Sequence, residues 1–426
     1  MSPNHLRRLQ QVIAASAFVG LIAPLAAEQA RDAGARHGAA ARGAAVAVAE
    51  VGGATEVGGG ADPIPLSEYL ARLKASQTAG RERRDRRLQA KVSAESRSGV
   101  RRLRIRNFQV LSDSDRSFAG YGLGAGSWDT EVGVLASAVA QEFVVQAALA
   151  DVPLESVEVV FTSHQDAQPR PSGAVAYPRN LQYVAYIVSS ASDTALEGLR
   201  ARVQRESPVL TLVAEPQPIE HGRVVYTPSP AEPAAGSPPG LRDFLVEKRA
   251  ALQRRAAAGR AAESASSSLH AVARVEGGTG LRNVRMGDEG FQVVHDAPRD
   301  AGGFDLGPTV EEHQLGVMGT CLTHIFEIQA AQRQVVLDKL ELHVEGTLTP
   351  RSAGAPSRLR DVRYTVHIDS PAPAQAIDEL RKAVEAVCPI YNLLKDEQPI
   401  AGRVVRGRAQ SARPAVGSAA TTAAQR

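Results

Sequence analysis

Gly307-Pro308-Thr309-Val310-Glu311-Glu312-His313-Gln314-Leu315-Gly316-Val317-Met318-Gly319-Thr320-Cys321-Leu322-Thr323-His324-Ile325-Phe326 is the stretch around which this chain is organised. It reads as a turn followed by a helix. Pro308 is a helix-entry signal, and Glu311 and Glu312 place negative charge where the first turn exposes its N–H groups. The helix is mostly apolar and carries Cys321 near its middle. The only other cysteine is Cys388, in Ala386-Val387-Cys388-Pro389-Ile390-Tyr391, and two cysteines with no others suggest a pair.

An altered copy of the stretch lies upstream. Phe108-Gln109-Val110-Leu111-Ser112-Asp113 matches Phe291-Gln292-Val293-Val294-His295-Asp296 at an offset of 183, and the same offset sets Leu154-Glu155-Ser156-Val157 on Leu337-Asp338-Lys339-Leu340. Near the end of each half the offset is 181, which sets Ser207-Pro208-Val209 on Cys388-Pro389-Ile390. The pattern predicts two homologous halves in tandem, at 63–226 and 240–408. Each half holds extended segments, then a long apolar helix (Ser127 to Ala150, and Thr309 to Arg333). Strands follow at Leu154 to Thr162 and Leu181 to Val188, with counterparts at Leu337 to Leu348 and Val362 to Ile368. An amphipathic helix (Asp193 to Glu206, Pro373 to Ala386) and a last strand (Gly222 to Tyr226, Gly402 to Arg406) close each half. The fold class is α+β with antiparallel pairing. Gly316, Gly319 and Thr320 align with Gly133, Ala136 and Ser137. Small residues at that spacing predict close approach of another helix or strand, most simply of the two central helices, which offsets the ~1 kcal/mol that glycine costs inside a helix.

The length of 426 residues suits two such halves, and a net charge of +3 gives no global case for nucleic acid. Ten Arg and one Lys crowd Arg81 to Arg106 against three acids, with no interleaved aromatic platform, and this predicts a solvated arm. Two cysteines build no disulfide scaffold, which fits a reducing, cytoplasmic compartment. Val12 to Ala27 behind His5, Arg7 and Arg8 has the form of an export signal and is too short for a membrane span. Residues 28–62 are low-complexity Ala/Gly, 227–239 is a Pro/Ala linker, and the tail after Ala409 predicts disorder.

The first copy has Ala138 where the second has Cys321, and Ser207 where it has Cys388. Joint presence in one half and joint absence in the other argue that the thiols act together, against the plainer reading of two small buried hydrophobes. Two such thiols can reduce a peroxide: a thiolate opens the O–O bond, becomes a sulfenic acid, and is resolved by the second thiol. A cysteine three turns into a helix gains nothing from the helix N-terminus, so an arginine must supply charge. Arg282 and Arg285 are the candidates, held by Glu311 or Glu312. A metal site built from Cys321, His324 and Cys388, with His313, is a weaker alternative.

Gly302-Gly303-Phe304-Asp305-Leu306-Gly307-Pro308-Thr309, Glu311-Glu312, Gly319-Thr320-Cys321, Val344-Glu345-Gly346 and Cys388-Pro389-Ile390 together resemble the OsmC family, which groups osmotically inducible protein C with organic hydroperoxide resistance proteins. The resemblance implies intertwined subunits with sheets outside and long helices inside, here an intrachain pseudo-dimer. It also implies reduction of organic hydroperoxides by Cys321, resolution by Cys388, a site carboxylate at Glu311 and an arginine at Arg282 or Arg285. Glu312 and His324 are secondary candidates. No cofactor, metal or nucleic acid is implied. An external thiol reductant, protein or small dithiol, is expected, and self-association is compatible. Val310 stands where the family motif has proline, and the first copy carries Trp128 and Asp129 for the two glutamates. A duplicated fold kept as a non-catalytic binding module is the competing expectation.

Overall fold

The computed structural model describes residues 64–78, 84–95, 98–164, 175–258, 268–352 and 355–409. The expected leader, the Ala/Gly segment, Arg81 and the tail beyond 409 lie outside the described residues. The elements run α1 (Leu66–Thr78), β1 (Arg86–Ala94), β2 (Arg101–Ile105), β3 (Phe108–Ser112), α2 (Ser127–Ala150), β4 (Ser156–His164), β5 (Leu181–Val188), α3 (Asp193–Glu206), α4 (Pro208–Ala214) and β6 (Arg223–Pro228). The second half repeats that order. Its elements are α5 (Leu241–Ala257), β7 (Ser268–Glu276), β8 (Leu281–Met286), β9 (Phe291–His295), α6 (Val310–Arg333), β10 (Lys339–Thr349), β11 (Arg358–Ser370), α7 (Ala374–Val387), α8 (Pro389–Leu393) and β12 (Ile400–Arg406).

Two six-stranded sheets form, in the orders β3-β2-β1-β10-β11-β6 and β12-β5-β4-β7-β8-β9. Read from opposite ends they correspond strand for strand, and each draws strands from both sides of the 227–239 segment. The joints are antiparallel: β1 pairs with β10 from Arg86↔Leu348 to Ser93↔Glu341, and β4 with β7 from Glu158↔Arg274 to His164↔Ser268. The last strand of each half does not close its own half. It crosses to the edge of the other sheet and pairs parallel, β6 with β11 and β12 with β5. The inner strands bury alternate residues, as in β5, where Leu181, Tyr183, Ala185 and Ile187 face inward. The described part of the arginine-rich run is therefore not an arm. Leu88, Ala90, Val92, Leu103 and Ile105 alternate with its charges, so it folds as β1 and β2.

Helices α2 and α6 occupy the centre and are buried along most of their length. Among the described residues α2 alone is long and apolar enough to cross a membrane, but the fold encloses it. The two helices meet through polar contacts: Gln314 Nε2 donates to Glu131 Oε2 at 2.8 Å, and the Ser127 and Thr320 hydroxyls lie 3.2 Å apart. The glycines serve the sheets instead. A Cβ on Gly316 would meet Leu103, one on Gly319 would meet Val92 and Val344, and one on Gly133 would meet Met286. The predicted close approach is real, but its partner is a strand surface.

Because neither sheet is complete without strands from both halves, the described region should unfold as one unit. Trp128 fluorescence and far-ultraviolet circular dichroism are expected to give one coincident transition in urea; two separated transitions would contradict the interleaved core.

Candidate active site around Cys321 and Cys388

Cys321 is the twelfth residue of α6, and Cys388 sits between α7 and α8 with Pro389 at the first position of the short helix. Both are buried, at 3 % and 0 % exposure, and both are free thiols. Their sulfurs are 3.5 Å apart, with the Cys388 S–H donating to Cys321 Sγ. A disulfide needs about 2.05 Å, so the two sulfurs must approach by about 1.5 Å to close the bond. Burial and the neighbouring Cys321 sulfur push the Cys388 thiol well above its ordinary value.

A charged cluster lies beside the pair. Arg101, from β2 of the first half, is 1 % exposed and close enough to Cys321 for their charges to interact. Its Nη1 donates to Ser114 Oγ at 3.2 Å and His324 Nδ1 at 3.1 Å, and stands 3.8 Å from Glu327 Oε2. Lys248, from α5, donates to Glu327 Oε2 at 2.7 Å and approaches His324 Nδ1 at 3.4 Å. Arginine and charged lysine only donate, so His324 Nδ1 accepts and its ring proton is assigned to Nε2. Desolvation, reinforced by Lys248 and Arg101, pushes His324 down to about 3. Burial alone would raise Glu327, but Lys248, the His324 contact and Arg101 hold it at about 2. Two cations thus face Glu327, Lys248 by a hydrogen bond and Arg101 at ion-pair distance.

The remaining predicted residues fall elsewhere. Glu311 is ten residues before Cys321, about 15 Å along a helix, and so does not reach the thiols from its own helix. It is buried near Arg282, and burial raises its carboxyl while backbone N–H, Thr309 and Arg282 oppose the rise. Arg282 is fully buried on β8 and donates to Gly280 O at 3.2 Å. Arg285 is exposed on the outer face of the same strand. Glu312 closes a capping box with Thr309 and pairs with Arg106 Nε at 2.8 Å, a structural task. His313 hydrogen-bonds His295 at 2.7 Å. Of the candidate metal set, His313 is thus engaged by His295 and His324 by Arg101, and among the described residues no group of three or more His, Cys, Asp or Glu could hold a metal ion.

Arg101 and Arg282 are counterparts. Each donates to the carbonyl two residues before it, at Gly99 and at Gly280. Each glycine has φ near +60 to +75, and a Cβ there would strike Phe244 and Tyr69 respectively. Each helix start in turn lies against the other central helix, as the Ser127–Thr320 contact shows beside Cys321. The arginine for the thiols therefore comes from the opposite half, and the helix-start position on that side is Trp128 rather than a glutamate. Sequence reasoning missed Arg101, Lys248 and Glu327. Gly99-Val100-Arg101 against Gly280-Leu281-Arg282 was the available signal, at offset 181 rather than 183.

The buried imidazoles set an acid limit on stability. His324 at about 3 and His313 at about 4 are depressed from 6.5, so the unfolded chain binds protons first as pH falls. Stability is fully present above about pH 6.5 and is lost below it, by about 2 kcal/mol per histidine between pH 7 and pH 5. His295, held well below 6.5 by burial and by His313, adds to the same loss, while Glu131, raised to about 7 by burial, offsets part of it. Urea titrations of wild type and His324→Asn at the two pH values check this, the variant being expected to lose about 2 kcal/mol less than wild type.

Residues 303–401 match the family model for OsmC-like protein. No curated protein matches the chain. Among solved structures, an OsmC-like protein from Mycoplasma pneumoniae is 20 % identical over 30 % of this chain and 90 % of its own, with a TM-score of 0.25. An organic hydroperoxide resistance protein OsmC from Legionella pneumophila is 18 % identical over 33 % of this chain and 96 % of its own, with a TM-score of 0.26. The stretch that carries Cys321 and Cys388 is an OsmC-like domain.

Proposed function

We propose that the protein is a thiol-dependent peroxidase that reduces organic hydroperoxides. The observation that carries this reading is the 3.5 Å separation of two buried free thiols beside the buried guanidinium of Arg101, in a segment that matches the OsmC-like model. Cys321 Sγ, as thiolate, attacks the terminal peroxide oxygen and the O–O bond breaks. The departing alkoxide takes a proton to become the alcohol, and Cys321 becomes a sulfenic acid. Cys388 then attacks that sulfur; the S–S bond forms and the hydroxyl leaves as water. An external dithiol returns both cysteines to thiols. Cys388 suits the second step by position, its sulfur standing 3.5 Å from Cys321 Sγ.

Arg101 supplies the charge for the first step, and Glu327 holds it in place from the helix that bears Cys321. At the corresponding positions of the thiol-free side stand Leu73 for Lys248, Gln141 for His324 and Val144 for Glu327. Lys248 and Glu327 thus accompany the thiols, while on the thiol-free side only the arginine, Arg282, is kept. Glu327 takes over the task of the carboxylate that position 128 does not provide.

One equivalent of an organic hydroperoxide should cost the reduced protein two hydrogens and link Cys321 to Cys388 in the peptide mass spectrum. Free thiols after treatment, or slow accumulation of sulfonic acid alone, would refute the reading. Cys321→Ser is expected to abolish turnover and Cys388→Ser to stop it after one event. Glu327→Gln should slow the first step on the order of 10²-fold through misplacement of Arg101, leaving disulfide closure unaffected.

A further inference from the structure

On the thiol-free side the chain keeps a cavity of about 440 Å³, lined in part by Tyr69, Gln141, Glu311, Pro208 and Ala301. Pro208 follows Ser207 as Pro389 follows Cys388, so this is the counterpart of the thiol site with the sulfurs removed. Its polar groups are incompletely used. Tyr69 is 0 % exposed and its hydroxyl stands beside Arg282; among the described residues neither that hydroxyl nor Gln141 Oε1 has a hydrogen-bond partner of good geometry. Behind Tyr69, Arg282 is fully buried with Nε and Nη2 unpaired, in charge contact with Tyr69 and Glu311. Buried donors and acceptors without partners each cost about 1–3 kcal/mol. The polar rim next to them is already engaged, with Glu142 bonded to Arg351 and Gln146.

We infer that this cavity is a second, non-reacting binding site for a neutral organic molecule with a hydroxyl-type head and a short apolar chain. The cavity wall already holds an opposed pair, Arg351 with Glu142, so a neutral head adds no unpaired charge to it. An O–H group donates to Gln141 Oε1 or the Glu311 carboxylate and accepts from the Tyr69 hydroxyl, which uses both orphaned groups at the wall. Leu73, Val145 and Leu348 provide apolar surface for the chain. Alcohols and organic hydroperoxides share this head. With Ala138 and Ser207 in place of the cysteines no sulfur is available for reaction, so either molecule is held unchanged.

The test uses full-length protein carrying Cys321→Ser and Cys388→Ser, which cannot react whether or not the native chain is a peroxidase; its outcome is therefore independent of the proposed activity. Calorimetric titration with n-hexanol, and separately with tert-butyl hydroperoxide, is expected to show one site per chain for at least one of them. Competition between the two would place them in the same site. Tyr69→Phe should weaken binding at least about fivefold by removing one hydrogen bond, and Ala301→Trp, which fills the cavity from its rim, should abolish it. Thermal melts confirm that each variant is folded, and Ala301→Trp decides if Tyr69→Phe is not. Absence of binding by both probes, or binding that both substitutions leave intact, would overturn the inference.

Discussion

Antiparallel pairing across the halves, β1 on β10 and β4 on β7, is the constraint on which everything else rests. Without those joints each half would expose a long edge strand with a full row of unpaired backbone groups. With them, two continuous sheets enclose α2 and α6, and both helices are buried on nearly every face, their polar side chains answered by partners inside the fold rather than by water. The same joints decide the chemistry. They place β2 of the first half over the middle of α6, which is how Arg101 comes to stand beside a cysteine more than two hundred residues away in sequence.

The site then follows from electrostatics in a dry place. Lys248, Arg101 and Glu327 are each buried to 1 % exposure or less, where an isolated charge would be expensive. They persist because each answers another: Glu327 accepts from Lys248, faces Arg101, and is held far below the ordinary carboxylate range. Removing Glu327 leaves Lys248 and Arg101 as two buried cations without it, so the carboxylate is the member on which the cluster depends. On the thiol-free side Leu73 and Val144 replace two of the three, and the arginine that remains there turns to Tyr69 and Glu311 instead.

Much of the fold was legible because periodicity and internal repetition reinforced each other. Ser127–Ala150, Leu181–Val188 and Asp193–Glu206 fall where their patterns placed them. Strand exchange was not written in any local pattern. It depends on which edge is free once the sheets assemble, and the parallel seating of β6 and β12 follows from that. The cysteine pair was legible from composition alone. Its cationic partner was not, because helix spacing invites a search along one element, and Glu311 is three turns from Cys321 on that element. The β2–β3 turn is also two residues shorter than the β8–β9 turn, by the pairings Ile105↔Phe108 and Met286↔Phe291. That difference shifts the register at which Arg101 and Arg282 correspond.

The Gln314–Glu131 contact has a consequence for how copies of this chain recognise one another. The two residues occupy equivalent positions, 183 apart, and meet each other at the crossing of the central helices. In an assembly of identical subunits such a position meets its own twin: two glutamates would repel, and two glutamines would lose the charge-assisted bond. Here burial raises Glu131 to about 7 while Gln314 opposes the rise by donating to it. A lock that needs unlike partners favours a first half closing on a second half. Where two like halves met, the position would face its twin and the bond would be lost.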